Sequence, residues 1–213
     1  MSDNTLLNRK ISIGNTEVPL LYLLGGAALL FIIFLFVGGG SGTVKDEFGN
    51  KYHYQRMADG RVWTTDNMNA AIVDSYCYGN MEENCDIYGR LYTWQSAQNA
   101  CASLGRKWRL PTDEEWGKLA EAYGGYKGNS EDGGVKASAE LLENGTSGFN
   151  GKLGGFGLAG SRYYYAGEMG AYWSGTELDG RYAWNYGFAM STKELVRDKI
   201  TKSYGLCVRC IKD

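Results

Sequence analysis

The chain carries Cys207-Val208-Arg209-Cys210, formally a C-x-x-C pair and the spacing of many redox and metal centres. A redox pair usually opens a helix, whose N-terminus lowers the thiol pKa. This one falls in an alternating run, Leu206 to Ile211, that predicts a strand. A structural zinc needs four ligands of suitable type. His53 is the single histidine and no second C-x-x-C exists, so no metal site and no cofactor is expected. His53 reads as a strand surface residue.

Carboxylates are the next candidates. Asp113, Glu114 and Glu115 follow Thr112, and this T-D-E-E run is a capping box whose acids complement the helix dipole. Asp66, Asp179 and Asp198 have no partner at a telling spacing. There is no Ser-His-Asp set and no phosphate loop. No catalytic residue is assigned, and the chain is not expected to be an enzyme.

The remaining chemistry is aromatic. Tyr163-Tyr164-Tyr165 and Tyr172-Trp173 precede Arg181-Tyr182-Ala183-Trp184-Asn185-Tyr186. On a strand, Tyr182, Trp184 and Tyr186 share one face and Arg181 and Asn185 the other. One face should be core, with Trp173 and Trp184 in it. Tyrosine supplies large contact area at little entropic cost. The expected ligand surface is therefore Tyr163, Tyr164, Tyr165, Tyr172, Arg181, Tyr182, Asn185 and Tyr186.

Two helices are expected to position this surface. Leu91, Trp94, Ala97 and Cys101 recur at helical spacing, with Gly105 as C-cap. The box at Thr112 opens a second helix through Trp116, Leu119 and Ala120, ending before Gly124-Gly125. Strand candidates are Phe48 to Tyr52, Arg61 to Thr64, Ala171 to Ser174, Tyr182 to Phe188 and Leu206 to Ile211. Residues 126–170 are Gly-rich and read as long loops with short strands, and Cys77 and Cys85 flank a polar loop. Helices followed by a loop-heavy antiparallel sheet indicate an α+β domain.

From Val18 to Val37 the chain runs uncharged and apolar for about twenty residues, the length a helix needs to span a bilayer. Pro19 would sit in its first turn. The competing reading is a cleaved signal peptide, whose apolar region is shorter and ends at an A-x-A-like site. Arg9 and Lys10 precede the run, while 38–42 is neutral, which places the N-terminus in the cytoplasm. The expected organisation is a cytoplasmic tail at 1–17, a transmembrane helix at 18–37, a Gly-rich tether at 38–43 and an extracytoplasmic domain at 44–213. All five cysteines follow the apolar run, as suits an oxidising compartment. The net charge of -2 carries no basic excess, so nucleic acid is not an expected partner.

Several blocks occur in order: Ser75-Tyr76-Cys77-Tyr78, Asn84-Cys85, Tyr88-Gly89-Arg90-Leu91-Tyr92-Thr93-Trp94, Arg109-Leu110-Pro111-Thr112-Asp113-Glu114-Glu115-Trp116, Tyr172-Trp173-Ser174-Gly175-Thr176-Glu177 and Val208-Arg209-Cys210-Ile211-Lys212-Asp213. Together they resemble the Fibrobacter succinogenes major paralogous domain over residues 44–213. The resemblance implies a C-type-lectin-like fold, related to the sulfatase-modifying, formylglycine-generating enzymes. It implies a bacterial surface or secreted protein, and some relatives of that fold are diversified receptors with an aromatic-rich ligand surface. It also implies the disulfides Cys77–Cys85 and Cys101–Cys210, leaving Cys207 as a free thiol or the site of an intermolecular bridge. The short C-x-x-C does not reproduce the cysteine pair of the formylglycine-generating relatives. The EPN or QPD and WND motifs of calcium-dependent lectins are missing.

The functional expectation is a membrane-anchored, surface-displayed binding module for a protein or polysaccharide ligand. The alternatives are an envelope assembly subunit, with a homodimer formed through Cys207 or the membrane helix, and an enzyme related to the formylglycine-generating proteins.

Overall fold

The computed structural model describes residues 10–13, 16–19, 40–158 and 160–213. The chain divides into two compact units, Met1–Gly40 and Ser41–Asp213. In the first, β1 (Lys10–Ile13) and β2 (Thr16–Pro19) pair antiparallel, with Ile11 opposite Val18. β-Branched residues on either side of a Gly-Asn pair are a hairpin signal. Val18 and Pro19 are thus extended, not the first turn of a helix. The rest of the expected span, residues 20–37, lies outside the described residues. Among the described residues, no helix is long and apolar enough to cross a membrane.

The second unit is α+β. Its main sheet contains β3 (Ser41–Lys45), β4 (Lys51–Arg56), β5 (Val62–Thr64), β8 (Trp108–Arg109) and β15 (Ile211–Lys212), in the order β3-β4-β5-β15-β8. Every pairing is antiparallel. Ile211 faces both Trp63 and Arg109, so the C-terminal strand is seated inside the sheet. Ser41 to Thr43 were expected in a flexible tether but form the edge strand. A Cβ on Gly42 would lie 2.7 Å from the Tyr54 hydroxyl oxygen, so glycine there lets the ring close over the edge.

A short pair follows, β6 (Ser75–Tyr76) with β7 (Leu91–Tyr92). Four helices are described, two more than expected: α1 (Glu82–Tyr88), α2 (Trp94–Ala102), α3 (Asp113–Ala122) and α4 (Val135–Leu141). α1 occupies part of the expected polar loop. It buries only Cys85, so it carries no apolar periodicity to read. α4 grows out of Gly134, inside the Gly-rich stretch. α2 begins later than its pattern suggests, because Leu91 and Tyr92 are drawn into β7 and Thr93 caps the helix. α3 carries the reciprocal capping box between Thr112 and Glu115.

The remaining strands form two sheets. One is β11 (Met169–Glu177), β12 (Tyr182–Ala189) and β13 (Leu195–Thr201), and the other is β10 (Arg162–Tyr164), β9 (Phe156–Leu158) and β14 (Tyr204–Gly205). α3 packs on β11 and β12, and α2 packs on β8 and β11. The space between is filled largely by rings. Trp63, Trp116, Phe149, Tyr172 and Tyr186 form one buried cluster with ring centroids 5.0–6.4 Å apart.

Candidate functional site

Strand geometry divides the eight residues expected to share one surface. Alternate positions of β12 face opposite sides of its sheet. Tyr182, Trp184 and Tyr186 lie on one side, with Tyr172 opposite Tyr186; Asn185 lies on the other, opposite Trp173.

Tyr172 and Tyr186 are buried in the core. Tyr186 stacks on Trp116 at 5.3 Å, and its hydroxyl donates to the Asp113 carbonyl at 3.0 Å. Burial, then the neighbouring Asp113 charge, holds that hydroxyl protonated far above the usual range. Tyr172 is locked by Lys152, accepting from its N–H and donating to its carbonyl, both at 2.7 Å. Trp184, expected in the core, is only half-buried. Arg197 lies over its ring at 3.5 Å and forks onto Asp113 at 2.7 and 2.6 Å. The ion pair at the start of α3 thus occupies the place where that side of the core ends. Arg181 is exposed, 5.3 Å from the ring of half-buried Tyr182. Tyr163 packs against Tyr78 at 5.3 Å and donates to the Asn80 side chain, which fixes β10 to the 3-10 turn at Tyr78–Asn80.

Asn185 lines one concavity, and Tyr164 and Tyr165 pack behind its wall without lining it. Tyr164 and Tyr165 cluster with Phe156 at 5.4 and 5.9 Å, and Tyr204 joins them at 6.1 Å. Tyr165 is half exposed, in the left-handed region at φ 62°. Phe156 walls a groove of about 250 Å³ across the open face of β11–β12–β13. Its floor is Ala171, Gly187, Ala189, Val196 and Ile200, with Met169 at one margin and Asn185, Asp198 and Lys199 at the polar end. The Asn185 amide donates to the Asp198 carbonyl at 3.0 Å, which fixes the polar end. The sequence reading missed Phe156, Tyr204 and the small floor residues. For the floor, the signal was the short side chains at Gly187 and Ala189 on one face of β12.

The model of the Fibrobacter succinogenes major domain matches residues 48–212. The chain belongs to that family. No curated protein and no solved structure matches it. In this Fibrobacter succinogenes major domain, the sequence blocks that carried the resemblance have structural jobs. The disulfides are Cys77–Cys85 and Cys101–Cys210, the second tying α2 to the residue beside β15. Cys77, Glu82 and Cys85 lie within 4.8 Å of one another, but the two thiols are consumed by their bridge, so the cluster is no metal site.

Cys207 is a free thiol and fully buried. Burial pushes its pKa up to about 12. A bridge between two chains through Cys207 would need the core to open around the sulfur. Asp66, which showed no partner in sequence, holds exposed His53 at 2.8 Å. Glu115 does more than cap. Arg109 meets both its oxygens at 2.7 Å, and Arg61 approaches at 2.9 Å. Burial would raise the Glu115 carboxyl, but hydrogen bonds from Arg109 and the Thr112 N–H overcome it and hold it at about 2.

Proposed function

We propose that this chain is a membrane-anchored, surface-displayed binding module whose unit from Ser41 onward takes a protein or polysaccharide ligand. The observation that carries the reading is the open groove across β11–β12–β13, walled by Phe156 with Tyr164, Tyr165 and Tyr204 packed around it. A floor of small residues admits a chain close to the sheet, and rigid rings at its margin bind at little entropic cost. Apolar lining and Met169 at the margin favour a protein segment as occupant.

Display outside the cell is supported by two disulfides, which persist in oxidising compartments. Anchoring, with the N-terminus cytoplasmic, is supported by the uncharged run 18–37 and by Arg9 and Lys10 before it. For the α+β architecture the finer reading is a C-type-lectin-like fold. Its support is the terminal strand β15 seated between β5 and β8 and stapled to α2 through Cys210.

An envelope assembly subunit is the second reading, in which the groove meets a neighbouring subunit and the apolar run mediates association. An activity related to the formylglycine-generating enzymes has less support. Its cysteine pair would be Cys207 and Cys210, and the first is buried while the second is bridged.

The test uses the full chain in lipid nanodiscs, screened on protein and glycan arrays. A retained ligand should be lost on Gly187→Leu, which fills the groove floor where a Cβ meets only Val196 carbonyl oxygen at 4.0 Å. Tyr165→Asn, which keeps a residue tolerant of positive φ, should weaken it. No retained ligand, or retention indifferent to both changes, overturns the reading.

A further inference from the structure

We infer that a second, separate site in the same unit binds a neutral saccharide. The observation is a cleft of about 680 Å³ bounded by the start of β4, the segment after β5, the end of α1 and the loop around residues 143–152. Drug-like pockets are mostly apolar with a few polar groups. This cleft is the reverse, with amide and carboxylate side chains on every wall.

Its charges nearly cancel. The lining carries Lys51 and Lys152 against Asp66, Asp86 and Glu143, with Lys152 paired to Glu143 and the Asp66 carboxylate accepting a hydrogen bond from the His53 ring. A polyanion would require clustered Arg or Lys, and among the described residues no group of metal-ligating atoms converges there. Asn69, Asn144 and Asn150 each carry an amide with both donors and acceptors. None of the three side chains makes a hydrogen bond within the described residues. That is the complement of adjacent sugar hydroxyls, each of which donates and accepts. Asn69 lines the cleft half-buried; its side-chain oxygen is enclosed with no partner, an unmet acceptor that favours turning the amide outward once a donor arrives. A ligand hydroxyl supplies one. At the lip, Ile87 is 55% exposed beside half-buried Tyr88, apolar surface for the C–H face of a sugar ring.

The walls are held in place beforehand. Asn67 donates to the Tyr88 carbonyl at 2.7 Å and accepts from Arg209 at 2.7 Å. Arg209 also donates to the carbonyls of Phe149 and Asn150 at 2.6 and 2.7 Å. One buried guanidinium thereby joins three walls, so a ligand does not have to order them. Asn144 and Asn150 adopt φ of 75° and 53°, a region in which asparagine is the least strained side chain after glycine.

The inference does not rest on the aromatic groove, and the test keeps the two apart. The full chain in lipid nanodiscs is titrated with methyl glycosides of mannose, galactose, glucose and N-acetylglucosamine, followed by saturation-transfer NMR. At least one should bind, about tenfold more weakly on Asn69→Ala and on Asp86→Ala, and unchanged on Tyr165→Asn. Asp86 is exposed and without a partner, so its variant tests the site independently of folding. The inference is overturned if no glycoside binds, if Asp86→Ala leaves the affinity unchanged, or if Tyr165→Asn abolishes it.

Discussion

Arg209 and Asn67, 142 residues apart, share a buried hydrogen bond of 2.7 Å from guanidinium Nε to amide oxygen. No carboxylate pairs with this arginine. Its charge is met instead by the carbonyls of Thr64, Phe149 and Asn150 and by the face of Phe149, 4.5 Å away. Burial lowers its pKa. Arg209→Leu strands four acceptors at once. We expect a loss of about 3–5 kcal/mol, read as a fall in the urea midpoint. Arg209→Lys should recover less than half of it, because one ammonium cannot span the fork.

Acid stability should depend on Glu115. Its folded pKa of about 2 lies below the ordinary 4.5. The carboxylate therefore stabilises fully above about pH 4.5, and the contribution is lost as pH falls toward 2. The gap corresponds to about 3 kcal/mol at most. Arg61 and Arg109 are 39% and 37% exposed, so screening reduces this to about 1–2 kcal/mol. Unfolding free energy measured from pH 6 to 2 should fall less steeply in Glu115→Gln than in the parent.

The two disulfides should differ in weight. Their sequence separations are 109 and 8 residues. On the chain-entropy model the longer loop contributes about 4.8 kcal/mol and the shorter about 2.5. Cys101→Ala with Cys210→Ala should lower the melting temperature more than Cys77→Ala with Cys85→Ala. Equal shifts would show that native-state contacts, and not loop closure, set the cost.

Legibility followed local physics. The capping box at Thr112 and Glu115 was readable because both partners lie within one turn. α1 was not, because a helix that buries only Cys85 has no apolar period. The aromatic residues show the same limit. Alternation separated Tyr186 from Asn185 correctly, but nothing local to Trp184 signalled that Arg197 and Asp113 would take over where the core ends. The Arg61–Glu115 contact and the walls joined by Arg209 arise from segments far apart in the chain, and periodicity cannot report them.

Cys207 and Gly154 make the most local test of packing. A Cβ on Gly154 would stand 2.7 Å from the Cys207 sulfur and 3.2 Å from the Tyr88 Cβ. Gly154→Ala should destabilise by about 1–3 kcal/mol through overpacking. Cys207→Ala removes the sulfur and leaves a small void, at about 1 kcal/mol. The new methyl then has room where the sulfur was, so the double variant should cost less than the sum of the singles, a coupling of about 1 kcal/mol in a urea-based double-mutant cycle. Strict additivity would mean that the contact with Tyr88, and not the thiol, fixes glycine at this position. The thiol itself should resist Ellman's reagent until the domain unfolds, since it is buried and its pKa is raised to about 12.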